Sequence, residues 1–395
     1  MNDDIKEKKI MYVVPELDTE GPSSGRDDMH NNWPDLMDAM RDMTEKMRHE
    51  CPDSYGRPML FNWFLLDWVG YDADDAVFKA REQDVGFHHI FDKYRVGITS
   101  ESVLKESGDG LYWHYHHPPK SGAWGWNRNW SDSLWYEKVL NKKILERDFF
   151  PSVFRAGGYV QDNDASAWLE RWIPFDYSNN APAFKKDAYD WQHAPRAWTP
   201  YHPSKDDYQS EGDMNRVVAR SLPVCAKGGS NTLTEKDVRE AFECAKRGER
   251  PILSFSTHDY YKSASEEFKT AYALIKKVEK EYPDVAWVYE NARDALRKSM
   301  ALAPCAPLTL SVKMAIKASV TKKGVEEFII NSNYAIFGEM PYVVFEYDDG
   351  ENERVDVQKL TETKWRFSCD TAKVKKIGVA VNDTYANTAL TTLEI

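Results

Sequence analysis

The stretch "IMYVVPELDTEGP" (Ile10–Pro22) decides the reading of the fold. Ile10–Leu17 is a nearly continuous apolar run, the pattern of a strand covered on both faces. It ends in two carboxylates, Asp18 and Glu20, that flank Thr19 and precede a Gly-Pro pair. A second run of this kind, "PMLFNWFLLDW" (Pro58–Trp68), follows "PDLMDAMRDMTEKMRHE", whose Leu and Met residues are spaced for a helix. Strand, helix and strand in succession make the βα unit of a mostly parallel sheet.

The same rhythm continues through the first three hundred residues. Further strands are expected at "GLYWHYH" (110–116), "SVFRAGG" (152–158), "WIPFDYS" (172–178) and "PILSFSTHD" (251–259). Helices are expected at "SDSLWYEKVLNKKILERD", "DNDASAWLERW", "TEKDVREAFECAKRG" and "SEEFKTAYALIKKVEKEYP", the second capped by its opening Asp162-Asn163-Asp164. Between Ser178 and Ser221 the pattern gives way to a long aromatic- and Pro-rich connection, which reads as a functional wall or an insertion with its own packing. After "LAPCAP" (302–307) the period becomes two, and "DDGEN" joins two of the runs as a hairpin. The chain therefore divides into a βα domain over 1–303 and a small β-sandwich over 304–395.

Composition narrows the classes of function. The net charge of −12 opposes broad electrostatic attraction to nucleic acid or to an anionic membrane, so an uncharged substrate fits better. No run reaches the roughly 18 apolar residues of a membrane span. The charged start "MNDDIKEKKI" lacks a secretory apolar core, so a cytoplasmic location is expected. The five cysteines are scattered, with no CxxC spacing, and suggest neither a disulfide framework nor a cysteine zinc site. There is no Walker loop, GxGxxG or GxSxG.

The conspicuous polar clusters share one location. "LDTEG", "HYHHPP", "FRAGG", "FDYS" and "THDY" all lie at or just beyond the C-terminal end of an expected strand, the end where a βα barrel gathers its catalytic groups. Asp18 and Glu20, two residues apart on extended chain, point the same way, so one can bind a metal while the other acts as a base. In "HYHH", alternation puts His114 and His116 on one side and His117 on the other, unless the chain turns at once before Pro118-Pro119. Two imidazoles and a carboxylate make a three-ligand divalent site with positions left for water and substrate. Arg155, which the glycines of "FRAGG" leave accessible, can hold a catalytic carboxylate ionised. His258 can serve as a general acid tuned by a carboxylate such as Asp176. The pair His88-His89 reads as surface or core histidines, and Trp113, Trp124, Trp126 and Trp130 as packing or sugar-stacking residues.

The order D-x-E-G-P, H-x-H-H-P, R-x-G-G, Asp and S-x-H-D resembles the polysaccharide deacetylase family of carbohydrate esterases, over roughly residues 10–300. Its usual first motif has adjacent aspartates, and the D-x-E form here is that of a divergent branch. The resemblance implies a distorted (β/α)7 barrel, followed here by the β-sandwich, and metal-dependent removal of an acetyl group from an N-acetylated sugar. It makes Asp18 the base, Glu20 with two of His114, His116 and His117 the metal ligands, Arg155 the group orienting Asp18, and His258, assisted by Asp176, the acid. Zinc is the first candidate metal, with Co, Ni, Mn and Fe as alternatives. A carbohydrate is the implied partner. A silent carbohydrate-binding protein on the same barrel is the alternative function, and a scaffold that docks a partner through the sandwich is a third.

Overall fold

The structure is a computed structural model that describes residues 9–23, 26–67, 88–120, 127, 129–186, 188–225, 231–315 and 324–395. Eight parallel strands come first: β1 (Lys9–Thr19), β2 (Asn62–Asp67), β3 (Gly110–Tyr115), β4 (Val153–Ala156), β5 (Phe175–Asn179), β6 (Val217–Pro223), β7 (Ile252–His258) and β8 (Val285–Tyr289). Neighbours run β8-β1-β2-β3-β4-β5-β6-β7, and β7 pairs back onto β1. The seven strands β1 to β7 thus close a barrel, while β8 lies alongside the first half of β1. β1 is long enough for two successive neighbours on one edge: Lys9–Val13 pairs β8, and Glu16–Thr19 pairs β2. Pro15 sits where the neighbour changes, and its carbonyl accepts from Asn62 Nδ2 at 3.0 Å. A proline is tolerated there because the ladder is already interrupted.

Helices cover the barrel. Among the described residues these are α1 (Trp33–Glu50), α2 (His89–Gly97), α3 (Glu101–Ser107), α4 (Trp135–Arg147), α5 (Asn163–Leu169), α6 (Glu235–Lys246), α7 (Ala264–Glu279) and α8 (Ala292–Ser299). α1 starts where Asn32 accepts from the Asp35 backbone N–H, and it buries Leu36, Met37, Met40, Met43 and Met47 at helical spacing. α5 is capped by Asp162, as its opening residues predict. The residues between barrel and helices, Val13, Leu17, Trp63, Leu65, Leu253 and Phe255, are at most 1% exposed. Each such side chain contributes about 1.5–3 kcal/mol of burial. Inside the barrel a separate apolar layer of Val14, Phe64, Tyr112, Tyr177 and Val217 is plugged from the N-terminal end by Ala292, Ala295 and Leu296 of α8.

Beyond α8 come β9 (Leu310–Met314), β10 (Val325–Ser332), β11 (Tyr342–Tyr347), β12 (Asn352–Val355), β13 (Gln358–Thr361), β14 (Lys364–Asp370), β15 (Val374–Asn382) and β16 (Thr388–Glu394). They form two antiparallel sheets, β9-β10-β14-β13 and β12-β11-β15-β16. Phe328, Ile330, Trp365 and Phe367 of the first meet Val343, Phe345, Ile377 and Val379 of the second. α4 packs on the outer face of the second sheet, where a Cβ at Gly378 would lie 2.5 Å from Ile144 Cγ2. Strands β6 and β8 and helices α2, α3 and α8 do not emerge from the sequence pattern. β6 begins within the last residues of the irregular connection, and α3 is too short for a clear period. That connection holds a short hairpin, Phe184–Lys185 with Tyr189–Asp190, and a small core of Ala181, Trp191, Ala194 and Tyr208.

Candidate metal centre and active site

Alternation along β1 decides which carboxylates meet. Val14 packs inside the barrel and Val13 and Leu17 pack under the helices, so Glu16, Asp18 and, just past the strand, Glu20 all face the barrel axis. On β3 the same rule puts His114 on the side of the interior Tyr112, and His116 follows it; Trp113, Tyr115 and His117 face the helix layer. His114 Nε2 and His116 Nε2 are 3.2 Å apart. Glu20 Oε1 lies 3.3 Å from His116 Nε2 and 3.9 Å from His114 Nε2. One ligand atom from each of the three falls within 4.8 Å of the others, the only such group among the described residues.

The donor set fits a divalent cation. Two ring nitrogens held at about 2.0–2.1 Å from a tetrahedral ion stand about 3.3 Å from each other. His114 Nδ1 is 3.1 Å from the Arg155 carbonyl oxygen. As the donor to that oxygen it leaves the Nε2 lone pair toward Glu20, the orientation that metal-binding imidazoles take. Burial lowers the His116 pKa, despite Glu20, and keeps that ring neutral. Burial alone would raise Glu20, but the neighbouring imidazoles of His114 and His116, with His258, pull it well below the carboxylate range. Three carboxylates, Glu16, Asp18 and Glu20, share the barrel interior with one guanidinium, Arg155. A bound divalent ion would balance that excess of negative charge.

Asp18 is gripped by Arg155. The Nε is 2.9 Å from Asp18 Oδ1 and 3.0 Å from Oδ2. Burial opposes ionisation of Asp18, but Arg155, then His114 and His258, hold its pKa below the ordinary value, so it is a carboxylate at neutral pH. Its buried Oδ1 receives no aligned hydrogen bond, which leaves a lone pair for a proton. Arg155 itself is 1% exposed, so the glycines of "FRAGG" do not open it to solvent as the sequence suggests. Their purpose is steric. A Cβ on Gly157 would lie 1.8 Å from His116 Cδ2 and 2.5 Å from its Nε2, so only glycine leaves room for that ring.

His258, at the end of β7, places Nε2 3.6 Å from Glu20 Oε1 and is 29% exposed at its side chain, the most open of these groups. Asp176 does not attend it. Phe175 and Tyr177 point into the barrel, so alternation turns Asp176 toward the helices, where it pairs with Arg216 and accepts from Gln161 Nε2 at 2.8 Å. The expected tuning of His258 by Asp176 is thereby corrected.

Two buried carboxylates escaped the sequence reading. Asp259 accepts from the backbone N–H groups of Glu20 at 2.8 Å and Gly21 at 3.0 Å and from Tyr94 Oη at 2.6 Å, which fixes the loop that presents Glu20. Glu16 lies under Asp18 and contacts the other side of Arg155, 2.9 Å from Nη1. The signal for Glu16 was present as E-x-D-x-E, three acids on one face of a strand. His88 proves buried against Asp67 at 3.2 Å. Trp113 and Trp130 are core residues, and Trp124 and Trp126 lie outside the described residues.

His117 is the imidazole turned away from Glu20. Its Nδ1 is 3.0 Å from Tyr115 Oη, and its ring stacks on Trp130 with centroids 5.4 Å apart. Burial pushes its pKa down to about 4. The unfolded chain then takes up this proton below about pH 6.5 and the folded chain does not, so stability is full above that pH and falls as the pH drops toward 4. Urea titrations of chelated protein at pH 7 and pH 4.5 should show a loss of about 2–3 kcal/mol from this group. The loss should be smaller in His117→Asn, and an unchanged acid slope would refute the assignment.

The chain matches no protein-family profile and no curated protein. Among solved structures it is similar to the X-ray structure of the endo-beta-1,4-mannanase from Thermotoga petrophila, with 10% identity over 98% of both chains and a TM-score of 0.31. At that score the likeness transfers neither fold detail nor activity.

Proposed function

We propose that the protein is a metal-dependent hydrolase that removes an N-acetyl or related acyl group from a sugar or glycan precursor. The carrying observation is the convergence of Glu20, His114 and His116 within 4.8 Å, beside an Arg155-held Asp18 and a half-buried His258. The motif order that resembles polysaccharide deacetylases supports the choice of amide and sugar.

Glu20, His114 and His116 would hold a divalent cation, and its Lewis acidity would lower the pKa of water and polarise a carbonyl. Asp18, ionised and with an open lone pair, takes the proton from the water that attacks the amide carbon. Arg155 holds the carboxylate in place during this transfer. His258 then donates a proton to the departing nitrogen as the C–N bond breaks, giving a carboxylate and an amine. Its position at the open rim suits a group that must reach substrate.

Elemental analysis of purified protein tests the metal half of this reading. Near-stoichiometric zinc, cobalt, nickel, manganese or iron is expected in the wild type and is expected to vanish in the His114→Ala/His116→Ala variant. Acetate release from N-acetylated sugars should follow the metal. A metal-free protein that still binds glycans after reconstitution attempts would replace the hydrolase with a silent carbohydrate-binding protein.

A further inference from the structure

Glu16 has no part in the chemistry just described, yet it is a fully buried carboxylate at the centre of the barrel. Its Oε2 is 2.9 Å from Arg155 Nη1, and its Oε1 accepts from Ser254 Oγ. Arg155 also donates from Nη1 to the Tyr177 carbonyl at 2.9 Å and from Nη2 to Ser256 Oγ at 2.8 Å. A guanidinium is a rigid plane, so fixing its two terminal nitrogens fixes the direction of Nε–H, which points at Asp18. Glu16 is the one charged group among those rear anchors.

Burial is the largest influence on Glu16 and pushes its pKa up to about 7, against the pull of Arg155. A glutamine of the same shape has one oxygen for these two contacts, so either Arg155 Nη1 or Ser254 Oγ would face an amide nitrogen instead. The position therefore requires an oxygen on each side, one toward Arg155 Nη1 and one toward Ser254.

We infer that Glu16 is a positioning residue for Asp18: it anchors the rear of Arg155 so that the Nε–H, and through it the Asp18 carboxylate, stays aimed at the attacking water. The inference rests on Asp18 being the base of the reaction above.

Glu16→Gln tests it with two independent readouts. The first is the hydrogen exchange of the Arg155 Nε–H, followed by nitrogen-15 NMR and assigned by its absence in Arg155→Lys. The second is the split between kcat and KM for acetate release, with the metal content measured in parallel. Exchange should accelerate at least about tenfold. The kcat should fall by about 10- to 100-fold, the range for outer groups that orient a reactive one. KM and metal stoichiometry should stay within about twofold. Ser254→Ala, which removes the hydroxyl that holds Glu16, should show the same pattern more weakly and covers the case in which Glu16→Gln folds poorly. Exchange and kcat both within about twofold of wild type in either folded variant would overturn the inference. If the wild type releases no acetate, the hydrolase reading fails, and the exchange rate alone still decides whether Glu16 anchors Arg155.

Discussion

Gly157→Ala should empty the metal centre without replacing a ligand. The added methyl carbon would sit 1.8 Å from His116 Cδ2 and 2.3 Å from Cγ, far inside van der Waals contact. Gly157 follows β4 directly, whose last residue Ala156 pairs with Tyr115 and donates its N–H to Ser178 Oγ at 2.8 Å, so the strand end has little freedom to retreat. The His116 ring is the movable partner, and it must swing away. Its Nε2 then leaves Glu20 and His114, and a three-ligand site becomes a two-ligand one. Metal affinity should drop by at least about 100-fold, with turnover falling in step. The fold should lose only about 1–3 kcal/mol, the usual cost of a methyl group forced into a packed region. Titration of chelated protein with zinc, monitored by calorimetry, reads the first effect, and urea unfolding reads the second. The discriminating control is Gly157→Ala on a His116→Ala background, where the methyl finds space and should cost nothing further in metal binding. A further loss there would place the damage in the β4 turn rather than in the ring.

The contrast between Gly157 and Asp18 shows which parts of this site a sequence can reveal. The acids of β1 were legible because a strand has a period of two, and two carboxylates two residues apart must share a face. The same period separates His114 and His116 from His117. Periodicity also gives the barrel-then-sandwich architecture, since continuous apolar runs give way to alternating ones near residue 304. Partners across the barrel were not legible. Glu16 and Asp259 acquire meaning only when the barrel closes, which brings Arg155 of β4 across to the one and the Glu20 loop after β1 beside the other. Asp176 failed for the complementary reason. The expected strand places it near a C-terminal end, but it is the second residue of β5, and its register turns it outward to Arg216. Position along a strand can be read from the chain; which neighbour waits on that face depends on the closure of the sheet.

Asp18→Asn should abolish turnover and leave the metal in place. The triad of ligand atoms comes from Glu20, His114 and His116, and Asp18 is not among them. Asparagine has the same shape and can still offer its oxygen to Arg155 Nε, while Glu16 continues to neutralise the guanidinium from the other side. The fold therefore loses one buried charge and no packing. What it cannot keep is the carboxylate that Arg155 holds ionised at neutral pH, and an amide does not accept a proton from water at any working pH. Loss of a general base lowers rates by about 10²- to 10⁴-fold. Elemental analysis beside acetate release should thus give full metal and almost no activity. Glu20→Ala should give neither metal nor activity, because it deletes a ligand and leaves two imidazoles with no anionic partner. The pair separates the two roles of the D-x-E motif. Equal metal loss in both variants would make Asp18 a ligand, and unimpaired turnover in Asp18→Asn would remove it from the proton path and move the base to another group.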